Sequence, residues 1–277
     1  MTDQSQAMSS APYCPFFTVP VTSAASLPSI PLTLPLDDQL LGFLVGIDDY
    51  GYRSNIEPLA NCANDARAVA AALNELFPDR ALLSVITSGA PDDTSLTKSF
   101  IESGIASMAG LTTPEDWLVF YCSGHGYRFP DNPDQLYLAP QGVFDEHDPA
   151  DFVAIDHVLD VLTAAPARVK ICVLDASYSG PVKAGSVGTN AGIGVKGQGQ
   201  VIVITACQGD QVASSGSPDG KTSLFTYYLL KALREDMKAL EGEGRLTVAS
   251  LCRYITEYVA ATAREYGIDQ RPACWLS

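Results

Sequence analysis

Two side chains in this sequence are placed for nucleophilic chemistry: a histidine between glycines and a serine on a tight turn. His125 stands in "YCSGHGYR" (121–128), directly after an apolar run. Because glycines flank it, the imidazole is accessible and a substrate can approach the backbone closely. Ser177 stands in "CVLDASYSG" (172–180), where an apolar run ends in an aspartate, small residues and a glycine. Taken literally, an imidazole base and a hydroxyl nucleophile indicate a serine hydrolase.

The pattern around Ser177 does not fit the α/β-hydrolases. That family needs Gly-x-Ser-x-Gly, whereas Asp175 occupies the position of the first glycine. Its catalytic residues follow the order nucleophile, acid, histidine, but His125 precedes Ser177 here, and its upstream oxyanion motif has no match. The two residues therefore need a different scaffold.

Apolar segments alternating with amphipathic helices must position these residues. Continuous apolar runs are typical of strands buried on both faces, and helices between them predict a mostly parallel α/β sheet with helices on both faces. Ligands of such sheets bind beyond the carboxyl ends of the strands, where His125 and Ser177 both lie. The predicted strands are 40–47, 81–87, 116–122, 169–175 and 200–207, with a side hairpin near 135–140. The predicted helices are 61–77, 94–111 after a Thr94 cap, 155–164, 222–240 and 247–266.

Composition and charge narrow the class of protein. The chain has 277 residues, is 47% hydrophobic and carries a formal net charge of −15. This charge disfavours nucleic acid and anionic membranes; it favours basic partners, or serves solubility alone. The seven cysteines are widely spaced and show no zinc-binding pair, which indicates reduced, buried thiols. Because no apolar stretch reaches about 18 residues and no basic signal region is present, we expect a cytoplasmic protein.

Two segments depart from the alternating pattern. Residues 1–36 hold six prolines, which oppose helices and central strands, so we expect an irregular arm that lies on the body. Residues 185–199 hold six glycines and are typical of a flexible loop. A loop of this length inside a domain is usually functional or cleavable.

The motifs and their order resemble the caspase-like cysteine peptidases, specifically the metacaspases and prokaryotic caspases. The resemblance covers about residues 40–275 and rests on "FLVGIDDY", "LANCANDARAVAAAL", "WLVFYCSGHG", "KICVLDASYSG", "VIVITACQGDQVAS" and "TSLFTYYLLKAL". It implies the α/β caspase–hemoglobinase fold. The implied units are the Pro-rich arm 1–36, a large segment 37–184, a cleavable linker 185–199 and a small segment 200–277.

The resemblance also implies roles for individual residues. His125 matches the catalytic histidine, and Ser177 stands where the family has its nucleophilic cysteine, in Asp-x-Cys-x-Ser-Gly. The backbone N–H groups of Gly126 and Ser177 would form the oxyanion hole. The positions that match the primary specificity pocket of metacaspases are Cys62, Asp65, Ser123 and Asp175.

The acidic character of that pocket predicts its substrate. Asp65 and Asp175 would bind a cationic side chain, with Arg preferred over Lys because a guanidinium can pair with carboxylates through two hydrogen bonds. Asp65 at a helix N-terminus can also complement the helix dipole, and the two roles are compatible. We therefore expect protein or peptide substrates with basic residues, and no nucleic-acid or membrane partner.

Ser177 departs from the family pattern. A hydroxyl is a far weaker nucleophile than a thiolate near neutral pH, and the family's dyad has no acid to orient the histidine, so Ser177 should be close to inactive. Two explanations stay open: an introduced cysteine-to-serine change, and a natural pseudopeptidase that serves as a binding or scaffold module. Because His125, Asp65 and Asp175 are intact, the first is favoured, and the natural protein would then be an active cysteine peptidase.

The resemblance further implies activation from a zymogen. Lys183 and Lys196 are the only basic residues between Lys170 and Lys221, so they are candidate cleavage sites unless the loop stays uncut. Because no Lys or Arg precedes Arg53, removal of the arm would need an upstream protease. The role implied by the family is regulated cell death or microbial antiviral defence.

Calcium is the one metal that the sequence brings into question. Metacaspases often need it, and the acidic run 145–151 with Asp131 and Asp134 offers oxygen ligands. The spacing does not fit an EF-hand loop, and a solvated acidic loop is the simpler interpretation. We therefore expect no metal and no other cofactor.

Overall fold

The computed structural model describes residues 27–35, 37–51, 54–89, 96–177, 200–209, 211–234, 239–240 and 244–277. The Gly-rich linker, Lys183, Lys196, Thr94, most of the arm and the side chain of Asp134 lie outside the described part.

Strands and helices alternate along the described chain. They are β1 (Leu40–Gly46), α1 (Cys62–Leu76), β2 (Ala81–Thr87), α2 (Lys98–Gly110), β3 (Trp117–Gly124), β4 (Gly126–Phe129), β5 (Asn132–Leu138), β6 (Val153–Ala154), α3 (Ile155–Ala164), β7 (Val169–Ala176), β8 (Ile202–Thr205), α4 (Leu224–Leu233), α5 (Val248–Glu265) and β9 (Ala273–Leu276).

A six-stranded sheet with the order β2-β1-β3-β7-β8-β9 forms the centre of the fold. The first five strands run parallel, and β9 pairs antiparallel with β8 at the edge. A small antiparallel sheet, β4-β5-β6, contains the hairpin that the sequence predicts near 135–140. The mostly parallel α/β architecture is therefore confirmed, while the four-residue strand β9 was not predicted.

Hydrophobic cores lie on both faces of the central sheet. In β1, Leu40 and Leu44 pack into the core that contains α1, α4 and α5. Leu41, Phe43 and Val45, which point to the opposite face, pack into the core that contains α2 and α3. This alternation explains why the strand reads as a continuous apolar run, since both faces are covered by helices.

The start of α2 and the exposure of β2 differ from the sequence prediction. α2 begins at Lys98, and its N-cap is Thr97, whose side chain accepts a hydrogen bond from the Phe100 N–H at 3.3 Å. The predicted Thr94 cap is therefore wrong. β2 is an edge strand with half-buried side chains, and Leu82 is 51% exposed. Its apolar sequence suggests more burial than an edge position allows.

The described end of the arm lies on the body. Leu27, Leu32 and Leu34 are buried in the core with α1, α4 and α5. The Leu32 N–H donates to the Leu246 carbonyl at 2.9 Å, and the Arg80 guanidinium donates to the carbonyls of Leu34 and Pro35. This segment, residues 27–35, therefore contacts the chain both before and after the linker.

The described cysteines are buried and form no disulfide, in agreement with the sequence prediction. They are Cys62, Cys122, Cys172, Cys207, Cys252 and Cys274.

Candidate active site

His125 and Ser177 follow two neighbouring parallel strands. β3 and β7 pair in register, with Ser123 opposite Asp175 and Gly124 opposite Ala176, so the next residues leave the same edge of the sheet. The backbones of residues 126 and 177 come into close contact here. A Cβ atom added to Gly126 would lie 2.1 Å from the Ser177 carbonyl oxygen, so only glycine fits. The structure thus brings together the histidine, the glycine and the nucleophile position that the sequence predicts.

A main-chain carbonyl orients the His125 imidazole. Nε2 lies 2.8 Å from the carbonyl oxygen of Glu57. Because a carbonyl oxygen only accepts, Nε2 carries the proton, and Nδ1 of the neutral ring is left as the proton acceptor. Burial lowers the pKa of His125, which favours the neutral ring. Sequence reasoning found no acid to orient this histidine, and it missed the carbonyl because every residue has one.

The Ser177 side chain contacts the segment between β8 and α4. Its Oγ accepts a hydrogen bond from the Ala213 N–H at 3.2 Å. Among the described residues, this is the hydrogen bond of the Ser177 hydroxyl, and its partner is not His125. A backbone N–H in the small segment therefore points at the nucleophile position.

Asp65 and Asp175 are buried next to that position. Asp65, in the first turn of α1, is 0% exposed, and Asp175, near the end of β7, is 4% exposed. The Asp65 carboxylate accepts hydrogen bonds from the Ser123 hydroxyl at 3.1 Å and from the Ser223 N–H at 3.0 Å. The Asp175 carboxylate accepts from the hydroxyls of Ser223 and, at 2.6 Å, Thr226. The structure thus joins the two predicted carboxylates through one shared partner, Ser223.

Ser223 and Thr226 are site residues that sequence reasoning missed. Ser223 is the N-cap of α4, and its hydroxyl accepts the Thr226 N–H at 2.9 Å while it donates to Asp175. The Tyr121 and Thr226 hydroxyls are also hydrogen-bonded, at 2.6 Å. A serine before an apolar run is a recognisable cap signal, but that signal does not reveal a contact with a carboxylate on another strand.

Within the described residues, no Lys or Arg side chain pairs with Asp65 or Asp175. Burial raises the pKa of both Asp65 and Asp175, and repulsion from Asp175 raises that of Asp65 further. Cys62, the first residue of α1, is buried against this pair, and burial raises the pKa of its thiol. This buried cluster therefore contains two carboxyl groups and a neutral thiol.

In the acidic run 145–151, aspartate carboxylates accept hydrogen bonds from nearby backbone N–H groups. Asp151 accepts the N–H groups of Phe144 and Asp145, and Asp148 accepts that of Ala150. Within the described ranges, no cluster of three or more His, Cys, Asp or Glu side chains is arranged to hold a metal. None of the helices in the same ranges has both the length and the hydropathy needed to cross a membrane.

Comparison with known proteins identifies the family. None of the curated proteins compared matches the chain. The crystal structure of a protein from Geobacter sulfurreducens aligns with a TM-score of 0.58 at 19% identity, over 86% of this chain and 93% of that chain, and so shares the fold. The caspase domain family matches residues 41–277, which include His125, Ser177 and the buried carboxyl groups of Asp65 and Asp175. This chain therefore belongs to the caspase domain family.

Proposed function

We propose that this site evolved in a cysteine endopeptidase that cleaves polypeptides after Arg, and less readily after Lys. The observation that carries the proposal is the pair of buried carboxylates, Asp65 and Asp175, beside the nucleophile turn. Burying charge without a partner is costly, and a site keeps such groups when a ligand supplies the opposite charge. A guanidinium fits better than an ammonium because its planar donors can pair with both carboxylates.

The residues around this pocket suit acyl transfer. With a thiol at position 177, sulfur would attack the scissile carbonyl, and His125 Nδ1 would accept the thiol proton and return it to the leaving amine. The backbone N–H groups of Gly126 and residue 177 would stabilise the oxyanion. Water would then hydrolyse the thioester. The Glu57 carbonyl would keep the imidazole in the required tautomer throughout.

Ser177 leaves this chain with the binding pocket and a weak nucleophile. We expect the chain to bind Arg-containing peptides and to cleave them extremely slowly, because a hydroxyl is almost never ionised near neutral pH. An introduced cysteine-to-serine change explains this combination best, since the remainder of the site is intact.

The test is to prepare the Ser177→Cys variant and to offer it fluorogenic peptides that differ only at the residue before the cleaved bond. We expect the order Arg, then Lys, with no cleavage after Asp or after citrulline, the neutral analogue of Arg. The matched control is Asp65→Asn in the same background, which should lose the preference for Arg over citrulline. Cleavage after Asp would contradict the pocket assignment.

A second candidate function is peptide binding without cleavage. The observation that favours it is Ser177 itself, whose Oγ is hydrogen-bonded to Ala213 rather than to His125. In that case, Ser177→Cys would cleave no peptide, while the unchanged chain would still bind the Arg peptide more tightly than the citrulline peptide in calorimetry.

We also propose that the natural enzyme is a zymogen activated by cleavage at Lys183 or Lys196. Mass spectrometry of Ser177→Cys should show fragments ending at one of these lysines, and substitution of both by Gln should remove them.

The reduced, buried cysteines support a cytoplasmic location. The role implied by the family is regulated cell death or antiviral defence. If this role applies, expression of Ser177→Cys should arrest growth of the host cell, and expression of the unchanged chain should not.

A further inference from the structure

We propose that Tyr50 is a positioning residue for His125: its hydroxyl holds the histidine's main chain while the Glu57 carbonyl holds its ring. The proposal rests on the peptidase function above. Tyr50 lies in the loop that follows β1 and is 1% exposed. Its Oη accepts the His125 N–H at 2.7 Å, and its ring lies 5.2 Å from the imidazole.

The residue before the histidine is shaped for this contact. A Cβ atom added to Gly124 would lie 3.0 Å from the Tyr50 Oη, which is tighter than ordinary van der Waals contact. Glycine at position 124 therefore lets the phenol approach the His125 N–H. The glycine pair in Ser-Gly-His-Gly then has two different purposes, since Gly126 makes room for the nucleophile turn and Gly124 makes room for Tyr50.

Tyr50 is itself held in place from the opposite side of the loop. The Gly142 N–H donates to the Tyr50 carbonyl at 3.3 Å. The buried Gln141 side chain donates to the Asp49 carbonyl at 2.8 Å and accepts the Leu96 N–H at 3.0 Å. The phenol is therefore presented by a fixed backbone.

Two restraints from one loop thus act on one histidine. Tyr50 fixes the main chain at the end of β3, and Glu57 fixes Nε2, so the remaining nitrogen, Nδ1, has a defined position. Loss of the Tyr50 hydroxyl removes this partner from the partly buried His125 N–H and lets the histidine shift. Because a small misplacement of a catalytic group lowers the rate more than it weakens binding, the effect belongs in kcat.

The experiment compares Tyr50→Phe with Tyr228→Phe. The control removes another buried hydroxyl, which is hydrogen-bonded to Thr262 at 2.6 Å on the α4–α5 side of the sheet. In the Ser177→Cys background, we expect Tyr50→Phe to lower kcat about tenfold and to change KM less than about twofold. We expect Tyr228→Phe to leave both constants unchanged. An equal loss of kcat in the two variants would overturn the proposal.

A second readout does not need activity. The chain has three histidines, so ¹⁵N spectra of the unmodified Ser177 chain should resolve the imidazoles of His125, His147 and His157. We expect Tyr50→Phe to move the His125 nitrogens from the Nε2–H tautomer toward a mixture, with the other two unchanged. If the ¹⁵N chemical shifts of the His125 imidazole did not change, Tyr50 would only pack against the histidine and the proposal would be wrong. If Ser177→Cys cleaves nothing, the proposed function fails while these spectra still decide the role of Tyr50.

Gly124→Ala tests the same contact if Tyr50→Phe folds poorly. This variant keeps the phenol but pushes it away from the His125 N–H, so it should reproduce the loss of kcat and the tautomer change. If Gly124→Ala left both kcat and the His125 tautomer unchanged, the proposal would be contradicted.

Discussion

Asp65→Asn should stabilise the folded protein while it weakens peptide binding. The substitution removes one of two buried carboxylates and keeps the shape of the side chain. An asparagine oxygen can still accept the Ser223 N–H, and its amide can donate to the Ser123 Oγ, so both hydrogen bonds of Asp65 have replacements. What changes is the buried negative charge.

The pH dependence of this effect has a definite sign. Burial and the neighbouring Asp175 raise the pKa of Asp65 in the folded protein above its value of about 4 in the unfolded chain. The folded protein therefore holds a proton that the unfolded chain has lost, and its stability falls as the pH rises from about 4 through the folded-state pKa. Asparagine does not titrate, so the variant escapes this loss.

The expected gain at pH 8 is about 3–5 kcal/mol, because each pH unit between the unfolded-state pKa of about 4 and the folded-state pKa of about 8 costs about 1.4 kcal/mol of stability. A gain of 1 kcal/mol raises the Tm of a domain of this size by about 2–4 °C. At pH 5 the folded carboxyl still holds its proton, whereas the unfolded one is about one pH unit above its pKa, so the two proteins should differ by only about 1.4 kcal/mol.

Urea unfolding of the Ser177 chain and of Asp65→Asn at pH 5 and pH 8 measures this difference. Asp160→Asn, an exposed position on α3, is the matched control and should stay within about 0.5 kcal/mol at both pH values. Calorimetry with an Arg peptide should show weaker binding to Asp65→Asn. A variant that is less stable than its parent at pH 8 would refute the reasoning, because the carboxylate charge would then be compensated.

Three further predictions follow from the same contacts. In Ser177→Cys, KM for an Arg peptide should fall as the pH rises from 5 to 8. Burial raises the pKa values of Asp65 and Asp175, so both carboxyl groups ionise over this range and then attract the guanidinium. A KM that is independent of pH would contradict this prediction. Gly126→Ala should destabilise the fold by more than about 2 kcal/mol, because the added Cβ would lie 2.1 Å from the Ser177 carbonyl oxygen. Urea unfolding close to that of the unsubstituted chain would be inconsistent with that contact. Leu32→Ala should cost about 2–4 kcal/mol because Leu32 is buried in the main core; a loss below 1 kcal/mol in the same assay would show that the arm is not part of that core.

The strands that carry the catalytic candidates could be predicted because their physical signal is strong. β1, β3 and β7 are continuous apolar runs covered by helices on both faces, and parallel pairing brings the residues that follow β3 and β7 to one edge. The helix start was predicted less well, because several neighbouring residues are equally suitable as an N-cap. Thr94 and Thr97 are both good caps by residue type, and the hydrogen bond from Phe100 decides between them.

Two of the contacts that sequence reasoning missed are made by backbone groups. The Glu57 carbonyl and the Ala213 N–H contact the base and the nucleophile position, but every residue carries a carbonyl and nearly every residue an N–H. Position in the fold alone distinguishes these two from the others. Charged residues such as Asp65 differ because their type already limits where they can be buried.

The loop after β1 connects the base to the pocket. Near its start lies Asp48, whose carboxylate accepts the Ala63 N–H at 3.2 Å and whose carbonyl accepts the Leu59 N–H at 2.8 Å. Asp48 therefore supplies the cap of α1 that the N-cap residue itself does not make. The same loop carries the two groups that contact His125, and α1 carries Asp65. One short segment therefore both contacts the candidate base and caps the helix that carries Asp65.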